Sequence, residues 1–125
     1  MTWKYFTLDE FKCKCGCEQN HIDPVFVDEL DKLRHVYGKP LIVTSGYRCP
    51  SHNAKVSRTG LTGPHTTGRA ADVAVDRKNA FDLLKLAVYM EFFGIGVQQK
   101  GVRRFMHLDN LPNSAGQPRP TIWSY

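Results

Sequence analysis

A chain of 125 residues and 14.2 kDa can enclose one hydrophobic core but not two, so residues 1–125 are read as a single domain. Hydrophobic residues at 42% and charged residues at 23% are ordinary for a soluble globular protein. A net charge of +5 and a pI near 9.1 call for an anionic partner (nucleic acid, a membrane surface or a cell-wall polymer), and the absence of any basic run longer than two residues counts against nucleic acid.

The opening "MTWKYFTLDEFKCKCGC" lacks the apolar stretch of roughly 7–15 residues that a signal peptide needs, and Asp9 and Glu10 interrupt it. The apolar segment "LAVYMEFFGIGV" is broken by Glu91 and is shorter than the ~20 residues of a bilayer span. Synthesis in the cytoplasm without membrane insertion is therefore expected. Thr7 to Glu10 reads as a capping box opening a short helix, with Phe6 and Phe11 placed as a hydrophobic staple. Cys13, Cys15 and Cys17 follow as C-x-C-x-C, with Cys49 far along the chain. Reduced thiols, the cytosolic default, are expected first, a disulfide from Cys49 to the cluster after later export second, and a four-thiolate zinc site third. The single-residue gaps argue against the zinc site, because structural sites favour C-x2-4-C.

Asp23 and Pro24 mark the start of a helix carrying Phe26, Leu30, Leu33 and Tyr37 on one face, with Gly38 as its stop. His35 near its end suits the helix dipole, whereas His21 has no motif around it. "PLIVTSGY" reads as a short buried strand, "CPSHNAKV" as one or two helical turns, and "SRTGLTGPHTTG" as a loop. "AADVAV" is a strand, and Asp76 is placed to cap a helix whose apolar face holds Ala80, Leu83, Leu84, Ala87, Val88 and Phe92. "GIGVQQKGVRRFMHLDN" reads as a hairpin turning near Lys100 and Gly101, and "RPTIWSY" as a last strand. The order implies an α+β fold: a small antiparallel sheet with helices packed around it. Trp3, Tyr5, Trp123 and Tyr125 are expected to pack rather than to bind.

On the strand after the loop, Val73 and Val75 share a face, and Asp72 shares the other with the small Ala70 and Ala74. Later, His107 and Asp109 share one strand face. Two imidazoles and a carboxylate are a usual ligand set for catalytic zinc, so His65, Asp72 and His107 are candidates to converge.

"SGYRCPSHN", "HTTGRAAD" and "FMHLD" together resemble the zinc peptidase superfamily of D-Ala-D-Ala carboxypeptidases, peptidoglycan L-Ala–D-Glu endopeptidases and the Hedgehog signalling domain. The leading helix and "GKPLIVTSGYR" are similar to the phage endolysin branch. The resemblance implies Zn2+ on His65, Asp72 and His107, with further residues fixing each imidazole tautomer. It also implies Arg48 as the holder of a substrate carbonyl or carboxylate, with Ser45 and His52 near the substrate. Many relatives carry an acid three residues before the distal histidine, where this chain has Arg104. Asp109 is the acid available: it is read as the catalytic base, with the role of an anchor orienting a ligand as the alternative.

The function so implied is cleavage of the peptidoglycan stem peptide, most directly at L-Ala–D-Glu, with D-Ala-D-Ala carboxypeptidase action as the close alternative. A monomer released to the cell wall through a holin-type lesion is the matching biology. A non-catalytic metal-stabilised binding module is the rival from another class. A nucleic-acid zinc module built on the cysteines stands last.

Overall fold

The structure is a computed structural model and describes residues 2–125. A 3-10 turn at Leu8–Phe11 comes first. The Glu10 carboxylate accepts the Thr7 N–H at 2.7 Å, and the Phe6 and Phe11 rings lie 5.5 Å apart, as the capping box and staple require. Helix α1 (Pro24–Tyr37) begins where Asp23 accepts the Val25 N–H at 2.9 Å and ends at Gly38. Strand β1 (Ile42–Ser45) leads into helix α2 (Pro50–Val56). The loop beyond it contains two 3-10 turns, Gly60–Thr62 and Pro64–Thr67. Strand β2 (Ala70–Ala74), helix α3 (Arg77–Tyr89), strands β3 (Gly94–Gln98) and β4 (Phe105–Asp109), and strand β5 (Thr121–Ser124) complete the chain.

The five strands form one sheet in the order β1-β2-β4-β3-β5. All neighbours are antiparallel except β3 and β5, so the expected small antiparallel sheet is antiparallel in all but its last pair. Strand alternation then sorts the side chains. Ala71 and Val73 of β2, Ile95 of β3, and Met106 and Leu108 of β4 join Phe26, Leu30, Leu33, Ala80, Leu83 and Ala87 of the two long helices in the main core. The intervening residues, Asp72 of β2 and His107 and Asp109 of β4, belong to the opposite face. Asp72 pairs directly with His107, and Ala70 with Asp109.

Local expectations differ from the structure at three places. β1 is an edge strand, so it is half exposed rather than buried, with Ile42 63% accessible. Asp76 sits at the N-cap position of α3, but its carboxylate pairs with Arg77 at 3.0 Å instead of capping the backbone. Val88 is exposed because the buried stripe of α3 runs through Ala80, Leu83 and Ala87, and Val88 lies beyond its edge, one residue before the helix ends at Tyr89. The four cysteines are free thiols, in line with the leading expectation, and their sulfurs come together. Their close spacing is no obstacle, since the fourth sulfur arrives from the start of α2. Among the described residues, no helix is long and apolar enough to cross a membrane.

Candidate metal centre

His65 lies in the 3-10 turn Pro64–Thr67, which the proline at its first position helps to start. The turn is fastened to the segment between β1 and α2 by the Arg48 N–H, which donates to the His65 carbonyl at 3.1 Å. The imidazole points inward, its Nδ1 2.8 Å from the Gly46 carbonyl oxygen. Asp72 and His107 meet it from adjacent strands. Asp72 Oδ1 is 3.2 Å from His65 Nε2 and 3.1 Å from His107 Nδ1, and those two nitrogens are 3.3 Å apart. All three residues are buried.

The outer partners determine what this triangle can hold. A carbonyl oxygen only accepts, so His65 Nδ1 carries its proton and leaves Nε2 as a lone pair. His107 Nε2 is 2.7 Å from Asp109 Oδ2, so it too donates outward and leaves Nδ1 as a lone pair. In those tautomers two lone pairs and a carboxylate oxygen face one another, a donor set suited to a cation. Tetrahedral zinc with ligand bonds of about 2.0–2.1 Å sets its donor atoms about 3.3 Å apart. The observed edges of 3.1–3.3 Å fit that ion.

A family model described as Peptidase M15 matches residues 4–109. The chain belongs to this family. No curated protein matches it. Peptidase M15 enzymes are zinc-dependent metallopeptidases, and the group that could bind the metal in this one is His65, Asp72 and His107.

Around the M15 donor triangle, the field favours positive charge. Burial disfavours the His107 cation, but Asp109 and Asp72 on its two nitrogens outweigh that and raise its pKa. Burial likewise opposes an ionised Asp72, while His107 and His65 hold its carboxyl well below the usual carboxylate range. Asp109 is wholly buried on the far side of His107 from the triangle. Its carboxylate takes a two-pronged contact from Arg119, Nε to Oδ1 at 2.9 Å and Nη2 to Oδ2 at 2.8 Å, and accepts the Leu111 N–H at 3.3 Å. Burial pushes the Asp109 pKa up, yet His107 and Arg119 together bring it down to about 2.

Arg48 stands at the entrance, with Nε on Ser45 Oγ at 3.0 Å, Nη1 on Asn53 Oδ1 at 3.1 Å and Nη2 on Asp72 Oδ2 at 3.5 Å. It lines a cleft of about 630 Å³ together with His65, Asp72, His107, Arg58, Trp123 and Tyr125. Ser45 thus supports Arg48. His52, on the half-buried side of α2, is not among the cleft-lining residues. Arg104 faces a different depression, beside Tyr37 and Asp76. The two C-terminal aromatics pack, Trp123 with its ring 5.0 Å from that of His107 and Tyr125 with its ring 5.0 Å from that of Phe105, and both also border the cleft. Sequence reasoning also missed Gly46, Asn53 and Arg119. Of these, only Arg119 carries a signal in its own side chain, and that signal is one cation among 17.

Proposed function

We propose that this M15 peptidase hydrolyses the stem peptide of peptidoglycan, most directly at the L-Ala–D-Glu bond, and works at the cell wall. The observation that carries the reading is the buried donor triangle of His65, Asp72 and His107 opening onto a cationic cleft. Zinc bound there would supply a Lewis acid for the scissile carbonyl and a water of lowered pKa. The chain's own residues do the rest. Guanidinium has five N–H donors, and Arg48 commits three of them to Ser45, Asn53 and Asp72. The remaining donors are held at the cleft wall, where they can bind a substrate carbonyl or carboxylate as a fork. Arg58 adds a second positive charge on the same wall, which suits the carboxylates of a stem peptide.

Asp109 takes the anchoring role in this reading. Its oxygens already serve His107, Arg119 and the Leu111 N–H, and none is open to the cleft. It fixes the His107 tautomer and supports the basicity of Nδ1.

A second reading, a metal-stabilised binding module, draws on one observation. Asp72 has the only acidic side chain among the described residues lining the cleft, and it is already one of the donor triangle. Purified peptidoglycan incubated with zinc-loaded or chelated protein and analysed by mass spectrometry separates the readings. New L-Ala carboxyl and D-Glu amino ends that appear only with zinc are the expected result. Loss of terminal D-Ala alone would assign a carboxypeptidase. Intact peptidoglycan with folded, zinc-loaded protein would favour the binding module.

A further inference from the structure

Away from the cleft, Cys13, Cys15, Cys17 and Cys49 bring their four sulfurs within 4.8 Å of one another. Cys13 Sγ lies 3.6 Å from Cys15 Sγ, and Cys15 Sγ lies 3.7 Å from Cys49 Sγ. Zinc–sulfur bonds of about 2.3 Å in a tetrahedron place the sulfurs about 3.8 Å apart. The cluster therefore has the dimensions of a closed four-thiolate site, with no room needed for water or substrate.

The surrounding backbone is arranged for sulfur carrying negative charge. The Cys49 N–H points at Cys13 Sγ at 3.3 Å, and the Gln19 N–H at Cys17 Sγ at 3.5 Å. Donors aimed at the charged form of a group favour that form. The loop that delivers three of the sulfurs is closed by the Cys13 N–H on the Gln19 carbonyl at 2.9 Å. It turns at Gly16, whose φ of +92° an L side chain would strain.

This corner also lacks apolar packing of its own. Its buried hydrophobic cluster consists only of Cys13, Tyr47 and Cys49 and is separate from the main core. A corner so small needs another source of stability, and small units commonly obtain it from a structural metal.

We propose that Cys13, Cys15, Cys17 and Cys49 form a second, structural zinc site that clamps the loop at 13–17 to the start of α2. Each sulfur binds as thiolate, and the proton it loses goes to solvent. Cys49 follows Arg48 directly, so the clamp also fixes the backbone from which the cleft arginine projects. The inference is independent of the His65 centre and of the substrate proposed for it.

The full-length chain, purified from zinc-supplemented cells, tests it by metal analysis and by cobalt(II) substitution. Wild-type protein is expected to hold two metal ions per chain and to give the intense thiolate-to-cobalt charge-transfer absorption that a His/Asp site cannot produce. His65→Ala should drop to one ion and keep that absorption. Cys15→Ser and Cys17→Ser should each drop to one ion and lose most of it. The wild-type spectrum needs no variant to fold, and the proposal fails if that protein binds a single ion without the absorption. It fails equally if the four cysteines of the wild type are recovered as disulfides, or if both serine variants retain two ions. Absence of peptidoglycan cleavage in a protein with two ions would count against the substrate and leave this site standing.

Discussion

Arg119→Ala is the substitution that most directly probes how the metal centre is supported. Arg119 touches neither the donor triangle nor the expected substrate; it is 6% exposed and holds both oxygens of a fully buried carboxylate. Removing one partner of a buried ion pair costs about 3–5 kcal/mol, because the remaining charge is left without compensation. Asp109 would keep His107 and the Leu111 N–H, so the low end, about 3 kcal/mol, applies. With unfolding entropy near 2.1 cal/mol/K per residue, 125 residues give about 0.26 kcal/mol/K, and 3 kcal/mol becomes a fall of about 11 °C in Tm. An unsupported Asp109 should also orient His107 less well, lowering zinc affinity by about 10–100-fold. Thermal unfolding followed by circular dichroism, with and without zinc, reads the first effect. Competition against a chromophoric chelator reads the second. A Tm within about 3 °C of wild type together with unchanged zinc affinity would mean that Asp109 does not depend on Arg119, and the anchoring argument would be refuted.

Asp109→Asn should weaken zinc binding by about 10–100-fold, yet turn over close to normally once zinc is saturating; turnover that stays lost with zinc bound would restore Asp109 as the base. The folded pKa of Asp109, about 2, lies below its ordinary 3.8, so its contribution to stability is complete above the higher value and disappears as pH falls through the lower one. Acid unfolding of the metal-free protein should accordingly begin at higher pH in Arg119→Ala than in wild type, as a fluorescence-monitored pH titration would record. His65→Ala should abolish activity and remove the ion from the cleft, by metal analysis alongside a peptidoglycan digestion assay. Arg48→Lys should lower kcat/KM by on the order of tenfold or more with zinc content unchanged, since an ammonium cannot serve Ser45, Asn53, Asp72 and a substrate at once. Gly94→Ala, at a residue outside the cleft lining, should lower zinc affinity because the added Cβ would overlap the Asp109 carboxylate; isothermal titration with zinc would detect it.

The parts of this molecule legible in its sequence are those whose physics is local. Asp23 with Pro24 starts α1, and the alternation in "AADVA" and "FMHLD" separates core from site, because caps and strand faces depend on neighbours in sequence. The candidate donors Asp72 and His107 follow from such alternation, and His65 from a motif resemblance. The role of Asp109 is different. Whether a carboxylate faces a cleft or stands behind a histidine depends on Arg119, which reaches it from an irregular segment with no periodicity. The gathering of the cysteines is not legible for a related reason: spacing rules describe sulfurs from neighbouring positions, while Cys49 comes from a segment placed beside the loop by tertiary structure. Trp123 and Tyr125 border the cleft because β5 joins the sheet parallel to β3, a pairing that no hairpin signal announces.

Asp72 and His107 are direct partners across the β2–β4 ladder. Were β4 to slide by a single residue, Met106 or Leu108 would take the place of His107, and both imidazole and anchor would turn toward the helices. The chelating constellation thus exists in one alignment of the two strands only. An ion captured there would favour the aligned sheet over a slipped one, so a metal bound at this site would act as a proofreader of folding.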